Sequence, residues 1–234
     1  MPVSYTEIAA RLAAAGLVPR GGFEVRPDDR VPPLADGRST LTLVLVGNTG
    51  ASLWPAFAAS PERASGIADP LDAWTRRVLD AIAAEFGAQA LYPFGRPPHH
   101  PFQRWAQRAE AVHRSPLGLL IHAKHGLWHA WRGALAFAEE FAVPAHDHAP
   151  SPCESCSDRP CLAACPVGAF AGAGYDVAAC VRHLDRAAGQ DCMDGGCLAR
   201  RACPVGAPSR YDPAQQSFHM RAFLAVRRAG HASP

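Results

Sequence analysis

Apolar residues at Leu71, Trp74, Val78, Ile82 and Phe86 recur at helical spacing, with Asp69 ahead of them and Gly87 beyond. The pattern predicts one long amphipathic helix, capped at both ends. Ser4 and Glu7 have capping-box spacing before an alanine-rich stretch to Ala15, and Gly16 sits where a helix stops, so a first helix is predicted there. Leu41 to Val46 is a run of Leu, Val and Thr bounded by Gly47 and Asn48, the signature of a buried strand. Shorter strands are predicted at Gly22 to Arg26, Gln89 to Tyr92 and Leu117 to His122. A short helix falls at Phe102 to Ala109, after the proline-rich turn through Gly95 to Pro101. The alternation of strands with helices predicts a sheet with helices packed on it, an α+β fold. A last helix is expected from Pro213 to Ala229.

The chemistry concentrates further on. All eight cysteines lie between residues 153 and 203, and the pentapeptide CPVGA closes each row of them, at Cys165 to Ala169 and at Cys203 to Ala207. An iron–sulfur cluster takes four thiolates, and in two-cluster ferredoxins the cysteine before proline ligates the other row's cluster. On that pattern the sequence predicts two [4Fe-4S] clusters, one on Cys153, Cys156, Cys161 and Cys203, the other on Cys165, Cys180, Cys192 and Cys197. Two zinc sites of four thiolates could use the same inventory, although zinc motifs usually come as separated pairs. A disulfide framework belongs to small secreted chains, and this one has 234 residues.

Length and composition suit two units: an α+β cofactor or docking domain over 1–149, a two-cluster ferredoxin module over 150–212, and a helix and tail over 213–234. Charge is balanced in the first region (14 basic, 14 acidic) and in the second (6 and 7), while the last has three arginines and no acid. That balance predicts no nucleic-acid partner. Met1 to Arg20 lacks the layout of a signal peptide and no apolar run is long enough for a membrane span, so a cytoplasmic protein with no membrane partner is expected.

Two further stretches carry candidate chemistry. GNTG (Gly47 to Gly50) follows a strand but lacks the span and lysine of a P-loop and the third glycine of a dinucleotide fingerprint. His99, His100, His113, His122, His125 and His129 crowd one region without a strong ligand spacing.

From Pro116 to Leu135, His125, Trp128, His129 and Trp131 stand around Gly126 and Arg132. This stretch resembles the glycine-tryptophan and Ile-Arg-Gly region of CblC-type cobalamin-processing proteins, with Gly22 to Val25 and Leu41 to Val46 in the same order. The cysteine order of four, one and three resembles that of the epoxyqueuosine reductases, which join a related cobalamin domain to a ferredoxin module. The resemblance implies a CblC- or nitroreductase-like first domain and a corrinoid such as cobalamin, with FMN as second choice. It implies cofactor contacts at His125, Gly126, Trp128, Trp131 and Arg132. Epoxyqueuosine reductases carry a catalytic aspartate where this chain, from Leu91 to Leu117, has only Glu110, so the catalytic residues stay unassigned. The expected function is that of an iron–sulfur redox protein. It would take electrons from a partner protein and pass them through two clusters to a cofactor or small-molecule substrate in the first domain. The alternative is a non-catalytic ferredoxin-type carrier with a docking domain.

Overall fold

The structure, a computed structural model, describes residues 3–146, 149–171 and 174–231. In chain order its elements are α1 (Tyr5–Ala14), β1 (Val18–Glu24), β2 (Thr42–Thr49), α2 (Trp54–Ala58), α3 (Pro61–Ala64), α4 (Pro70–Glu85), β3 (Gln89–Leu91), α5 (Phe102–Ala109), β4 (Val112–Arg114), β5 (Leu120–His122), β6 (His129–Phe137), α6 (Pro160–Ala163), α7 (Val177–Leu184), α8 (Gln190–Gly195), α9 (Leu198–Arg201) and α10 (Pro213–His231). They form two compact units. The first comprises residues 1–111 and 129–149, the second 112–128 and 150–234.

The first unit is an antiparallel sheet in the order β1-β2-β6-β3. β2 is buried along nearly its whole length, and Leu43, Val44, Leu45 and Val46 have no exposed surface. Each such side chain contributes about 1.5–3 kcal/mol through burial. Helix α4 offers the sheet a seam of Leu71, Trp74, Thr75, Leu79, Ile82 and Ala83. The seam differs from the expected stripe, because Val78 and Phe86 are only half-buried while Leu79 and Ala83 lie inside. Gly133 on β6 explains how closely the helix sits, since a Cβ there would lie 2.4 Å from the Leu79 side chain. Neither expected N-cap acts through its side chain: Ser4 and Asp69 precede their helices but make no side-chain capping bond, and Asp69 has φ +49°.

The second unit begins with the β4–β5 hairpin, closed by the turn in which Ser115 donates its N–H to Leu119 O and accepts from Gly118 N–H. Leu117, Ile121 and Leu127 from this segment form one core with Cys161, Ala199 and Cys203. A second core joins Leu184, Cys192 and Met193 to Leu224 of α10. Between residues 150 and 212 the described residues hold helices and turns but no strand. Segment 112–128, which the sequence assigns to the first domain, packs with the cysteine region instead. No helix among the described residues is long and apolar enough to cross a membrane.

Candidate functional site

In the first unit the polar centre is Arg20, only 1% exposed in the middle of β1. Its guanidinium donates through Nε (2.7 Å) and Nη2 to the two carboxylate oxygens of Glu110, through Nη1 to Asn48 O (3.0 Å), and through Nη2 toward His129 Nδ1 (3.2 Å). Arginine has no acceptor, so His129 Nδ1 accepts and the neutral ring carries its proton on Nε2. Trp131 meets the His129 ring edge-on at 4.9 Å, and the Arg20 guanidinium stands over its indole at 4.9 Å. Gly21 lets β1 approach α5 this closely: its φ is +69° and a Cβ would lie 2.1 Å from Ala109 O. Burial, and next the charge of Glu110, raises the Tyr5 hydroxyl above its ordinary pKa.

Gly47 to Thr49 of the GNTG segment form the end of β2, not a turn, and the segment serves this frame. Asn48 is 2% exposed, gives its side-chain N–H to Gly50 O (2.9 Å) and its carbonyl to Arg20. Arg132 points elsewhere, pairing with Asp72 and donating to Thr75 Oγ1 (3.2 Å) on α4. Residue 132 falls where the β2–β6 register shifts, between the pairs Val46↔Gly133 and Gly47↔Trp131. That bulge separates Arg132 from the Trp131 cluster.

The remaining expected cofactor residues belong to the second unit. His122 and Gly126 exchange backbone hydrogen bonds, and His125 Nδ1 lies 3.0 Å from Ser209 Oγ. Gly126 has φ +56° and packs backbone to backbone on the second CPVGA turn, where a Cβ would sit 1.9 Å from Val205 O. Trp128 is buried against Tyr211 at 5.4 Å. Arg200 stacks on both rings, at 4.4 and 4.6 Å, while donating to Leu127 O. The proposed contact set is thus divided: Trp131 and Arg132 stand in the first unit, His125, Gly126 and Trp128 in the second.

The cysteines gather in two neighbourhoods. Cys153, Cys156, Cys161 and Cys203 line one small cavity with Pro116, Ile121, Pro152, Pro160 and Pro204. Burial pushes the Cys153, Cys161 and Cys203 thiols above their ordinary pKa, and neighbouring thiols of the same group add to it. Cys180 and Cys192 are raised by burial in the same way, with Cys197 among the neighbours of both and Cys165 beside Cys180. Tyr175, stacked on Phe170 at 4.7 Å, is raised by burial and then by its hydrogen bond with Cys180.

No family model matches the chain and no curated protein does. Among solved structures it is similar to the crystal structure of CblC from C. elegans, described as a B12-trafficking protein and a homologue of human MMACHC. The TM-score is 0.53 and the identity 13%, over 94% of each chain. This shows the fold: a mixed α+β chain of CblC type.

The likeness upholds the CblC-type part of the sequence resemblance. The electron-transfer expectation is corrected. The fold matched is that of a B12-trafficking protein, and among the described residues no three His, Cys, Asp or Glu side chains are grouped to hold a metal ion. Passage of electrons through two [4Fe-4S] clusters, and the ferredoxin-type carrier offered as its alternative, are therefore set aside. Physically, neighbouring thiols that burial raises above their ordinary pKa behave as small apolar side chains, and the sequence spacing alone does not separate that role from ligation.

Arg20 is the residue that sequence reasoning missed. A lone arginine inside a glycine-bearing strand was its signal, matched by the isolation of Glu110 as the single acid between Leu91 and Leu117.

Proposed function

We propose that this chain binds a corrinoid. The observation that carries the reading is the fold likeness, spanning 94% of both chains, to a protein described as B12-trafficking. A fold alone hosts many functions, so the reading also needs a suitable surface. In the first unit Trp131 supplies one. Its ring is half-buried, its indole N–H has no hydrogen-bond partner, and Arg20 and His129 brace it. A flat, half-buried ring suits a broad apolar macrocycle, and its buried, unpartnered N–H would gain an acceptor if an amide carbonyl of the ligand's fringe reached it. Arg132, engaged by Asp72 and Thr75, holds β6 to α4 and reaches the ligand only by leaving them. When bound, the corrinoid would supply the cobalt chemistry; the protein's part is to seat the ring and keep its face dry.

The test is an anaerobic titration with aquocobalamin, read by the corrinoid absorbance and by tryptophan quenching. Saturation at micromolar concentration is expected. Trp131→Phe, which keeps the ring but removes the N–H, should weaken binding by about fivefold. A titration that does not saturate in that range sinks the reading. So does saturation by FMN where cobalamin gives none.

A further inference from the structure

We propose that the groove along the end of the β4–β5 hairpin is a phosphate-binding site. The groove measures about 470 Å3 and is lined by His113, Arg114, Ser115, Pro116, Ser151, Cys153, Glu154 and Arg159. It lies wholly within the second unit and shares no residue with the Arg20 and Trp131 frame. Three observations point to an anionic ligand.

Two guanidinium groups flank the groove, from Arg114 at the end of β4 and from Arg159 just before α6. Among the described residues neither forms a salt bridge, so both guanidinium groups are open to an anion. Guanidinium donors are fixed in a planar fork that suits phosphate oxygens.

Ser115 is 9% exposed, and its Oγ is buried with no hydrogen-bond partner. An orphaned buried hydroxyl costs free energy unless something completes it. Rotation about the Ser115 side chain would be needed to bring that proton to a phosphate oxygen in the groove.

Arg159 also holds φ +41°, ψ +54°, a left-handed conformation that costs a residue with a Cβ about 1–2 kcal/mol. Arg159 lines the groove itself, so this backbone sets where its guanidinium starts. Glu154 stands in the same lining and opposes an anion.

The probe is inorganic phosphate, added to the full chain at ionic strength held constant with sodium chloride, and followed by the arginine side-chain N–H signals in NMR. Saturable shifts of the Arg114 and Arg159 signals are expected. Arg114→Ala, an exposed position, should weaken binding about tenfold, as loss of a charge-assisted pair does. Ser115→Ala should weaken it less, and Glu154→Gln should tighten it. If Ser115→Ala fails to fold, Arg114→Ala and Glu154→Gln, both at exposed positions, decide the matter. Shifts that grow linearly without saturation, or variants that bind as the unchanged chain does, overturn the site. Acetate binding as tightly as phosphate overturns the choice of ligand. None of these readouts depends on cobalamin, so this site and the corrinoid reading fail separately.

Discussion

Arg20 and Glu110, 90 residues apart in sequence, meet as a two-pronged ion pair with the arginine side chain 2% exposed and the carboxylate 15%. The pair ties β1 to the end of α5 and braces Trp131 from behind. Breaking a buried pair leaves one charge desolvated without compensation, which costs more than the pair contributes when intact.

Arg20→Ala should therefore destabilise the chain by about 3 kcal/mol. For a chain of this size that lowers Tm by about 6–12 °C in a thermal melt followed by circular dichroism. Replacing both partners with apolar residues, Arg20→Met with Glu110→Leu, should recover part of the loss. A double variant less stable than Arg20→Ala contradicts the buried-pair account.

Gly126→Ala should cost about 2–4 kcal/mol, because the added Cβ meets the Val205 carbonyl and the residue must keep φ +56°. Gly206→Ala strikes the same contact from the opposite loop, where its Cβ would lie 2.2 Å from His125 C. The two substitutions together should cost less than their separate effects added, since either one already separates the loops. Denaturant unfolding of both single variants and the double checks this.

Arg200→Lys keeps the charge but loses the planar stack between Trp128 and Tyr211 and one of the bonds to Leu127 O. A loss of about 1–2 kcal/mol is expected, with a shift in Trp128 emission. Unchanged emission and stability would mean that the guanidinium plane contributes nothing there.

His100, stacked on Trp105 at 5.5 Å, titrates below its ordinary 6.5 because burial, and next the neighbouring His99, disfavours the charged ring. As pH falls below 6.5 the unfolded chain takes up a proton that the folded chain refuses, so stability declines with falling pH across that window. His100→Phe should flatten this part of the stability profile. An NMR midpoint at or above 6.5 would contradict the burial argument.

The helices and the central strand were legible because their signals are local. Phe102–Ala109 and the start of α10 at Pro213 fall where the pattern puts them, and the expected strand Leu41 to Val46 covers the first part of β2, which continues through Gly47 and Asn48 to Thr49. The strand expected over Leu117 to His122 is half turn, because Gly118 takes φ +76° and leaves only Leu120–His122 paired. The polar frame was less legible. Arg20, Asn48, Glu110 and His129 come from four distant segments, and no spacing rule joins residues that meet only through sheet register and the close approach of Gly21 to Ala109. The cysteine rows gave the opposite problem, a strong local pattern whose role in the fold spacing could not decide.

β6 is one of the two inner strands of the first sheet, yet it begins at His129, after the chain has laid down the hairpin of the other unit. During synthesis β2 therefore waits, with one edge open, until the ribosome has passed Phe137. The order of assembly is interleaved, and a cut at residue 149 separates no finished parts. A fragment starting at Pro150 lacks Leu117, Ile121 and Leu127, three of the four buried residues with which Cys161 and Cys203 form their core. Such a fragment should be recovered aggregated, and adding residues 112–128 in trans as a peptide is the direct way to rescue it.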